Sequence, residues 1–140
     1  MNSPQSFPDL QALALRLLFR QYREVSSSQR PMVYGYIRCD EPQPDYVTAC
    51  ADLLTWWTMA EGWRLGTIFQ DVGISAETVV RPGFTGLLDA VRLPDSAAAV
   101  VVDIAHLSTC ELGARRLTMA IRSTASTLHV LTDALSEVTV

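Results

Sequence analysis

The stretch MVYGYIRCDEPQP, from Met32 to Pro44, decides the fold expected for this chain. Its first seven residues form an apolar, aromatic run, which is typical of a buried strand. Pro42 and Pro44 end this run, and a helix is predicted from about Asp45 to Glu61, where Gly62 stops it. The stretch therefore predicts a strand, a polar loop and a helix, which together begin an alternating α/β fold.

The alternation continues toward the end of the chain. Two further strands are predicted in RLGTIFQD (64–71) and AAAVVVDI (97–104), and a loop, VGISAETVVRP (72–82), follows the first of them. Helices are predicted in GFTGLLDAVRL (83–93) and ELGARRLTMAIRS (111–123), and TLHVLTDAL (127–135) is predicted to be a last strand with a tail. Strands separated by helices imply right-handed crossovers. We expect a three-layer α/β domain around a central, mostly parallel sheet of four or five strands.

An additional segment precedes the first strand. In DLQALALRLLFRQYREV (9–25), leucines recur at helical spacing, which predicts an amphipathic helix, and SSSQRP (26–31) is a linker. The chain is thus divided into residues 1–31, a helix and linker, and residues 32–140, the α/β domain. If its own domain leaves the apolar face uncovered, that face is a surface for a partner or for self-association. Its predicted members are Leu10, Leu13, Leu17, Leu18 and Phe19.

Composition excludes several classes of protein. The chain has 140 residues, of which 49% are hydrophobic, and this is enough for one domain with a core. Its net charge of -4 argues against a nucleic-acid coat, because affinity for phosphate backbones comes from clustered basic residues, so we expect direct DNA binding to be weak or absent. No run is long enough to span a membrane, and no secretion signal is present.

The cysteines and histidines predict no metal site. Cys39, Cys50 and Cys110 are widely spaced without a CxxC pair, which indicates reduced thiols rather than disulfides or a zinc site. His106 and His129 are isolated from them, and no cofactor motif occurs. We therefore expect a cytoplasmic protein without a metal or cofactor.

Candidate chemistry gathers at one edge of the predicted sheet. The carboxyl ends of parallel strands meet at the same edge, which places Arg38, Asp40, Asp71, the loop to Arg81 and residues 103–109 together. No GxGxxG or P-loop follows the first strand, and a phosphoacceptor domain lacks the lysine that it needs. Serine hydrolysis lacks a GxSxG turn, so His106 is expected to be a polar residue of the rim rather than a base.

Four motifs in order resemble the catalytic domain of serine recombinases, the resolvase and invertase family. They are GYIR at the end of the first strand, IFQDVGIS after the second, RPGF at the next helix start, and an apolar strand running into IAHLS. Family members cleave DNA through a serine that attacks a phosphodiester, while arginines hold the phosphate. The resemblance implies that Arg38 and Arg81 match two such arginines, and that Asp71 and Ser75 match conserved polar residues of the loop.

The departures from the family pattern fall on the chemistry. The nucleophile position holds Asp40, and His106 and Thr109 stand where the family has arginines. The DNA-binding part that such recombinases carry after this domain is not found after the last predicted strand. These departures favour a catalytically inactive, recombinase-like domain that serves protein interaction or regulation, in which Arg38, Asp71 and Arg81 form a buried ion-pair network.

Two alternatives remain from other classes. One is an accessory protein in DNA recombination or transcription that works through a DNA-binding partner. The other is an enzyme with altered, metal-dependent chemistry at Asp40 and Asp71, for which helix capping or arginine pairing is the simpler explanation of both carboxylates.

Overall fold

A computed structural model describes residue 11 and residues 30–138 of the chain, with side chains as far as residue 135. The predicted N-terminal surface of Leu10, Leu13, Leu17, Leu18 and Phe19 lies outside the described residues. Strands and helices alternate from Met32 onward. The elements are β1 (Met32–Cys39), α1 (Pro44–Glu61), β2 (Arg64–Val72), α2 (Pro82–Val91), β3 (Ser96–Val101), a 3-10 turn (Ile104–His106), α3 (Glu111–Arg122), β4 (Thr127–Val130) and α4 (Leu131–Val138).

The four strands form one sheet in the order β2-β1-β3-β4, and all three pairings are parallel. The first strand is therefore central, with β2 and β3 on either side of it. Its register with β2 places Arg38 beside Asp71, and Cys39 beside Val72, at the carboxyl edge. The expectation of a central parallel sheet of four or five strands is confirmed, with four strands among the described residues.

Two apolar layers cover the two faces of this sheet. On one face, α1 and α4 pack through Cys50, Leu54, Trp57 and Leu131 against the strands. On the other face lie α2 and α3, whose buried contacts come from Phe84, Leu87, Val91 and Ile121. Burying both faces explains why β1 and β3 are almost continuously apolar. The predicted three-layer architecture is confirmed.

The tail predicted after the last strand is a helix in the structure. The strand ends at Val130, and Leu131 begins α4. Leu131 is buried and Ala134, three residues later, packs against the same core cluster, which is helical spacing. The backbone N–H of Thr132 donates to the carbonyl oxygen of Val102 (3.0 Å), which fixes the start of the helix against the end of β3.

The third strand ends earlier than predicted, at Val101. The side chain of Asp103 accepts the backbone N–H of Ala105 and so begins the 3-10 turn that leads to His106. Such local bonding of an aspartate to the backbone competes with strand pairing. The turn lies at the edge of the sheet where Arg38 and Asp71 also lie.

The predicted end of α1 is confirmed at Gly62. This glycine has the left-handed conformation (φ 78°), and its N–H and that of Trp63 donate to carbonyl oxygens of the last helical turn. The chain can therefore enter β2 at Arg64 directly after the helix. Within the described part of the chain, no helix is both long and apolar enough to cross a membrane.

Candidate functional site

The carboxyl edge of the sheet holds an open pocket of about 510 Å³. It lies where the end of β1, the start of α1 and the 3-10 turn meet. Three carboxylate residues and one arginine are among its lining residues. The lining residues are Arg38, Cys39, Asp40, Glu41, Gln43, Tyr46, Asp103, Ala105 and His106.

Arg38 is the buried cation of this pocket, with 5% of its side chain exposed. Its Nη1 pairs with Oδ1 of Asp40 at 2.5 Å and also donates to the carbonyl oxygen of Ile74. Its Nε and Nη2 donate to the carbonyl oxygens of His106 and Ala105. Every nitrogen of the guanidinium therefore already has a partner within the chain.

Arg81 is bound in the same manner a short distance along the edge. Its Nε donates to the carbonyl oxygen of Thr78, its Nη1 to that of Leu107, and its Nη2 to that of Ala76. Both arginines thus connect the loop after β2 to the turn after β3 through backbone carbonyl oxygens. Their burial is compensated mainly by hydrogen bonds to carbonyl oxygens, and Arg38 has the carboxylate of Asp40 in addition.

Asp71 belongs to a different contact network. Its Oδ2 accepts the hydroxyl of Tyr36 (2.7 Å) and the N–H of Phe84 (2.9 Å), while its Oδ1 accepts the N–H of Gly83 (2.7 Å). Burial, together with this carboxylate, raises the pKa of Tyr36, so its hydroxyl remains a donor. Asp71 therefore anchors the first turn of α2, whose amide groups have no partner within the helix.

The predicted ion-pair network of Arg38, Asp71 and Arg81 is consequently wrong. Among the described residues, the ion pair of Arg38 is with Asp40, whose side chain is 69% exposed, and the oxygens of Asp71 bind Tyr36 and backbone amides. The sequence shows which positions are charged. It does not show that backbone carbonyl oxygens, rather than Asp71, accept the hydrogen bonds of the two guanidinium groups.

His106 is buried beneath the pocket rather than placed as a polar residue on its rim, with 2% exposure. Its Nδ1 accepts the backbone N–H of Arg38 at 2.9 Å, so the proton of the neutral ring is on Nε2. That nitrogen lies 3.1 Å from the hydroxyl of Tyr46 and donates to it. Burial lowers the pKa of His106, which favours the neutral ring and leaves no cation at this family position.

Tyr46 and Cys50 complete the site and were not predicted from the sequence. The ring of Tyr46 stacks on His106 (13° between planes), and the thiol of Cys50 lies 3.9 Å from Nε2. Burial of the hydroxyl end raises the pKa of Tyr46 to about 12. Burial likewise raises the pKa of Cys50, so neither group is a ready nucleophile. Their i, i+4 spacing places both residues on one face of α1 but does not point to His106.

Two predicted site residues lie away from this pocket. The exposed Ser75 shares a hydrogen bond with Thr78 (3.0 Å) in the loop after β2. The exposed Thr109 lines a separate groove beside α3. The structure thus brings Arg38, Asp40 and His106 together in the pocket, holds Asp71 and Arg81 in separate hydrogen-bond networks, and leaves Ser75 and Thr109 outside.

Metal binding at Asp40 and Asp71 finds no support in the geometry. Asp71 is filled by three donors, while Asp40 faces the pocket and pairs with Arg38. Within residue 11 and the 30–138 range, no group of three or more histidine, cysteine, aspartate or glutamate side chains has a metal-binding arrangement.

Comparison with known families agrees with the architecture and with the motif order. The profile described as "Resolvase, N terminal domain" matches residues 33–138, which is most of the chain. The chain belongs to this family. The resemblance to serine recombinases that the four motifs indicated is thereby confirmed.

Three solved structures share the fold of this resolvase-family domain. The N-terminal catalytic domain of TP901-1 integrase has a TM-score of 0.66 and 19% identity, over 73% of this chain and 79% of that one. The C-terminal catalytic domain of ISC1926 TnpA, an IS607-like serine recombinase, has a TM-score of 0.65 and 16% identity, over 71% and 70%. The first open reading frame of transposon ISC1904 from Sulfolobus solfataricus has 0.55 and 19%, over 71% and 66%. No curated protein matches the chain.

Proposed function

We propose that this resolvase-family domain does not cleave DNA and acts through contacts with a protein partner. The observation that carries the proposal is the contact of Asp40 with Arg38. The carboxylate at the family's nucleophile position forms an ion pair with the buried guanidinium at 2.5 Å. Two of the similar solved structures are catalytic domains, one of an integrase and one of a serine recombinase. The proposed difference lies in the side chains of the site, because the fold is shared.

A carboxylate at this position opposes the first step of strand cleavage. Two like charges about 4 Å apart cost about 1 kcal/mol in water and about 4 kcal/mol near a protein surface, so Asp40 repels the phosphodiester that a serine would attack. Glu41 and Asp103 line the same pocket and add to this repulsion. The pocket is therefore acidic where the family's chemistry requires a phosphate.

The remaining cations do not offset this repulsion. Arg38 and Arg81 are 6% and 5% exposed, and their nitrogens donate to backbone carbonyl oxygens. His106 is held neutral by burial, and Thr109 carries no charge. Stabilising the additional negative charge of a phosphoryl transition state requires donors that are aimed at it and free to bind it. We infer that the arginines now hold the two loops together.

A protein partner fits this surface better than DNA does. The acidic pocket and the net charge of -4 disfavour a phosphate backbone. The names of the structural relatives favour a partner that is itself bound to DNA, and in that case the domain is an accessory protein in recombination or transcription. The three cysteines are free thiols, which suits the reducing cytoplasm that we propose as its compartment.

Covalent capture tests the absence of cleavage. Wild-type protein and the Asp40→Ser variant are incubated with a labelled random-sequence duplex library and resolved under denaturing conditions, with an active serine recombinase on its own site as positive control. We expect no protein–DNA adduct from either protein, because Asp40→Ser restores a hydroxyl but not the two family arginines at His106 and Thr109. An adduct formed by the wild-type chain would overturn the proposal.

Affinity purification from the native host tests the partner. We expect a stoichiometric protein partner with wild type and with Glu61→Arg, an exposed charge reversal at the far end of α1. Glu41→Arg, in the pocket lining, should lose that partner. Equal recovery with both variants would show that the pocket is not the contact surface.

A further inference from the structure

We propose that the chain's own N-terminal segment, residues 9–25, docks as a helix along an outward-facing apolar stripe of α1, parallel to that helix. This inference does not depend on whether the domain cleaves DNA. It assigns an occupant to a surface of the described fold.

The apolar stripe runs along one flank of α1, next to the residues that pack on the sheet. Tyr46 and Leu53 are 43% and 44% exposed, Ala49 is exposed, and Ala60 is half-buried. Trp56, also half-buried, belongs to the stripe and packs partly against the core. The five positions are separated by three, four, three and four residues, which is the spacing of a seam between two packed helices.

The N-terminal segment repeats this spacing in its sequence. Leu10, Leu13 and Leu17 are separated by three and four residues, as are Tyr46, Ala49 and Leu53, and continuing the pattern reaches Arg20 and Glu24. Each position of the stripe on α1 is therefore 36 residues after one position of the segment. Examples are Tyr46 with Leu10, Ala49 with Leu13 and Leu53 with Leu17.

In this alignment the three leucines lie beside the amino-terminal part of the stripe, and Arg20 lies beside Trp56. A guanidinium over an indole face is a favourable contact, so the one charged residue at this level has a suitable neighbour. Gln11, which is described, has a helical conformation and an exposed side chain. It is not one of the seam positions, so its exposure agrees with the docked arrangement.

The direction of the docked segment follows from where it joins the domain. The carbonyl oxygens of Arg30 and Pro31 accept the side-chain Nε (3.0 Å) and backbone N–H (2.8 Å) of Arg64, three residues beyond the end of α1. The end of the linker that follows the segment is therefore anchored close to the carboxyl end of α1. A segment that returns along this helix must run parallel to it.

The lengths agree with this direction. α1 has 18 residues, or about 27 Å at 1.5 Å per residue, and the segment of 17 residues covers about 25 Å. The five linker residues 26–30 reach up to about 17 Å, which exceeds the 8–10 Å typical between packed helix axes by a margin of about 7 Å. The start of the segment then lies next to Tyr46, at the border of the acidic pocket.

Disulfide trapping in the full chain tests the docking. The background is Cys110→Ser, because Cys39 and Cys50 are buried and Cys110 is exposed. The pair Leu17→Cys with Leu53→Cys is compared with Leu17→Cys with Thr55→Cys, since Thr55 is exposed on a different side of the same helix. We expect an intramolecular disulfide in the first pair, formed at least about tenfold faster than in the control pair, because docking raises the local thiol concentration.

Two results of this trapping would overturn the proposal. Equal rates for the two pairs would mean that the segment does not lie along the stripe. Disulfides between chains, increasing with protein concentration, would mean that a second copy supplies the helix.

Hydrogen exchange in the cysteine-unaltered chain gives an independent readout. We expect amides of residues 10–25 to be protected in wild type and in Thr55→Glu, and to lose at least about tenfold of that protection in Leu53→Glu, because a charge on the seam opposes docking. Both substituted positions are exposed, so the fold tolerates either change. Unchanged protection in Leu53→Glu would contradict the proposal.

Discussion

Asp71 and Asp40 lie at the same edge of one sheet, yet their surroundings differ sharply. Asp71 is 3% exposed and accepts three hydrogen bonds, one from Tyr36 and two from the start of α2. The side chain of Asp40 is 69% exposed and pairs with Arg38. The difference teaches that the stability of this edge depends on the buried carboxylate, while the chemistry of the pocket depends on the exposed one.

The two arginines extend the same distinction. In the family that this chain resembles, such arginines hold a phosphate, whereas here their nitrogens bind carbonyl oxygens of the two loops. Asp40 adds a charged partner on the pocket side of Arg38. Substitutions at the buried and exposed carboxylates should therefore separate folding from anion binding.

The largest expected effect is that of Asp71→Ala. It leaves the Tyr36 hydroxyl and the amides of Gly83 and Phe84 buried without an acceptor. We expect the free energy of unfolding to fall by about 3–5 kcal/mol, because each buried donor that has lost its acceptor is removed from water without a hydrogen bond in return. Urea unfolding measures the change. A loss below about 1 kcal/mol would erase the distinction between the two carboxylates.

Tyr36→Phe removes one of the three donors to Asp71 and keeps the ring. We expect a loss of about 1.5–3 kcal/mol, the usual value for a hydrogen bond to a charged group. The matched control is Tyr34→Phe on the same strand, whose hydroxyl has no hydrogen bond to the described residues and whose loss should stay within about 0.5 kcal/mol. Equal losses in the two variants would argue that ring packing, not Asp71, accounts for the effect.

The buried face of the pocket should give a pH-dependent stability through His106. Burial lowers its pKa below the usual 6.5, so below that pH the unfolded chain binds more protons than the folded one. Stability is then fully present above about pH 6.5 and declines as pH falls toward the folded pKa, with a slope of at most about 1.4 kcal/mol per pH unit. The groups facing the ring are Arg38, Tyr46, Cys50 and Asp103.

Unfolding of wild type and His106→Asn between about pH 7 and pH 5 measures this contribution. Asparagine keeps an acceptor for the N–H of Arg38 and does not titrate. We expect a shallower decline in the variant. Identical slopes in the two proteins would show that His106 does not titrate differently in the folded state.

The smallest effect on stability is expected for Asp40→Ala. Its carboxylate is largely in water, and pairs of this kind contribute up to about 1 kcal/mol. Glu41→Ala, in the same pocket lining, is the matched control. A loss above about 2 kcal/mol for Asp40→Ala alone would place Asp40 with the buried carboxylate instead.

The fold was largely predictable because its signals are local. Apolar runs and helical spacing gave the strands and helices, and Gly62 ended α1 as expected. The tail after the last strand was not predicted to be a helix, because the spacing of Leu131 and Ala134 alone does not distinguish strand from helix over so short a window. Only the packing of both residues against the core decides between the two.

The site was predictable in its place but not in its contacts. Parallel strands with a common carboxyl edge placed Arg38 and Asp40 near the turn that holds His106. The sequence could not show that carbonyl oxygens would bind Arg38 and Arg81, because every residue carries such an acceptor and its position depends on loop geometry. The contact of Tyr46 with His106 spans 60 residues, and no local pattern signals it.

Titration with inorganic phosphate tests the central claim most directly, namely that the Asp40 carboxylate occupies the anion position beside Arg38. Wild type, Asp40→Ala and the control Glu41→Ala are compared by calorimetry and by NMR shifts of the Arg38 guanidinium. We predict a site in Asp40→Ala with a Kd of order 1–10 mM, and binding at least about tenfold weaker in wild type and Glu41→Ala. Wild-type protein that binds phosphate at Arg38 as tightly as Asp40→Ala would contradict the claim.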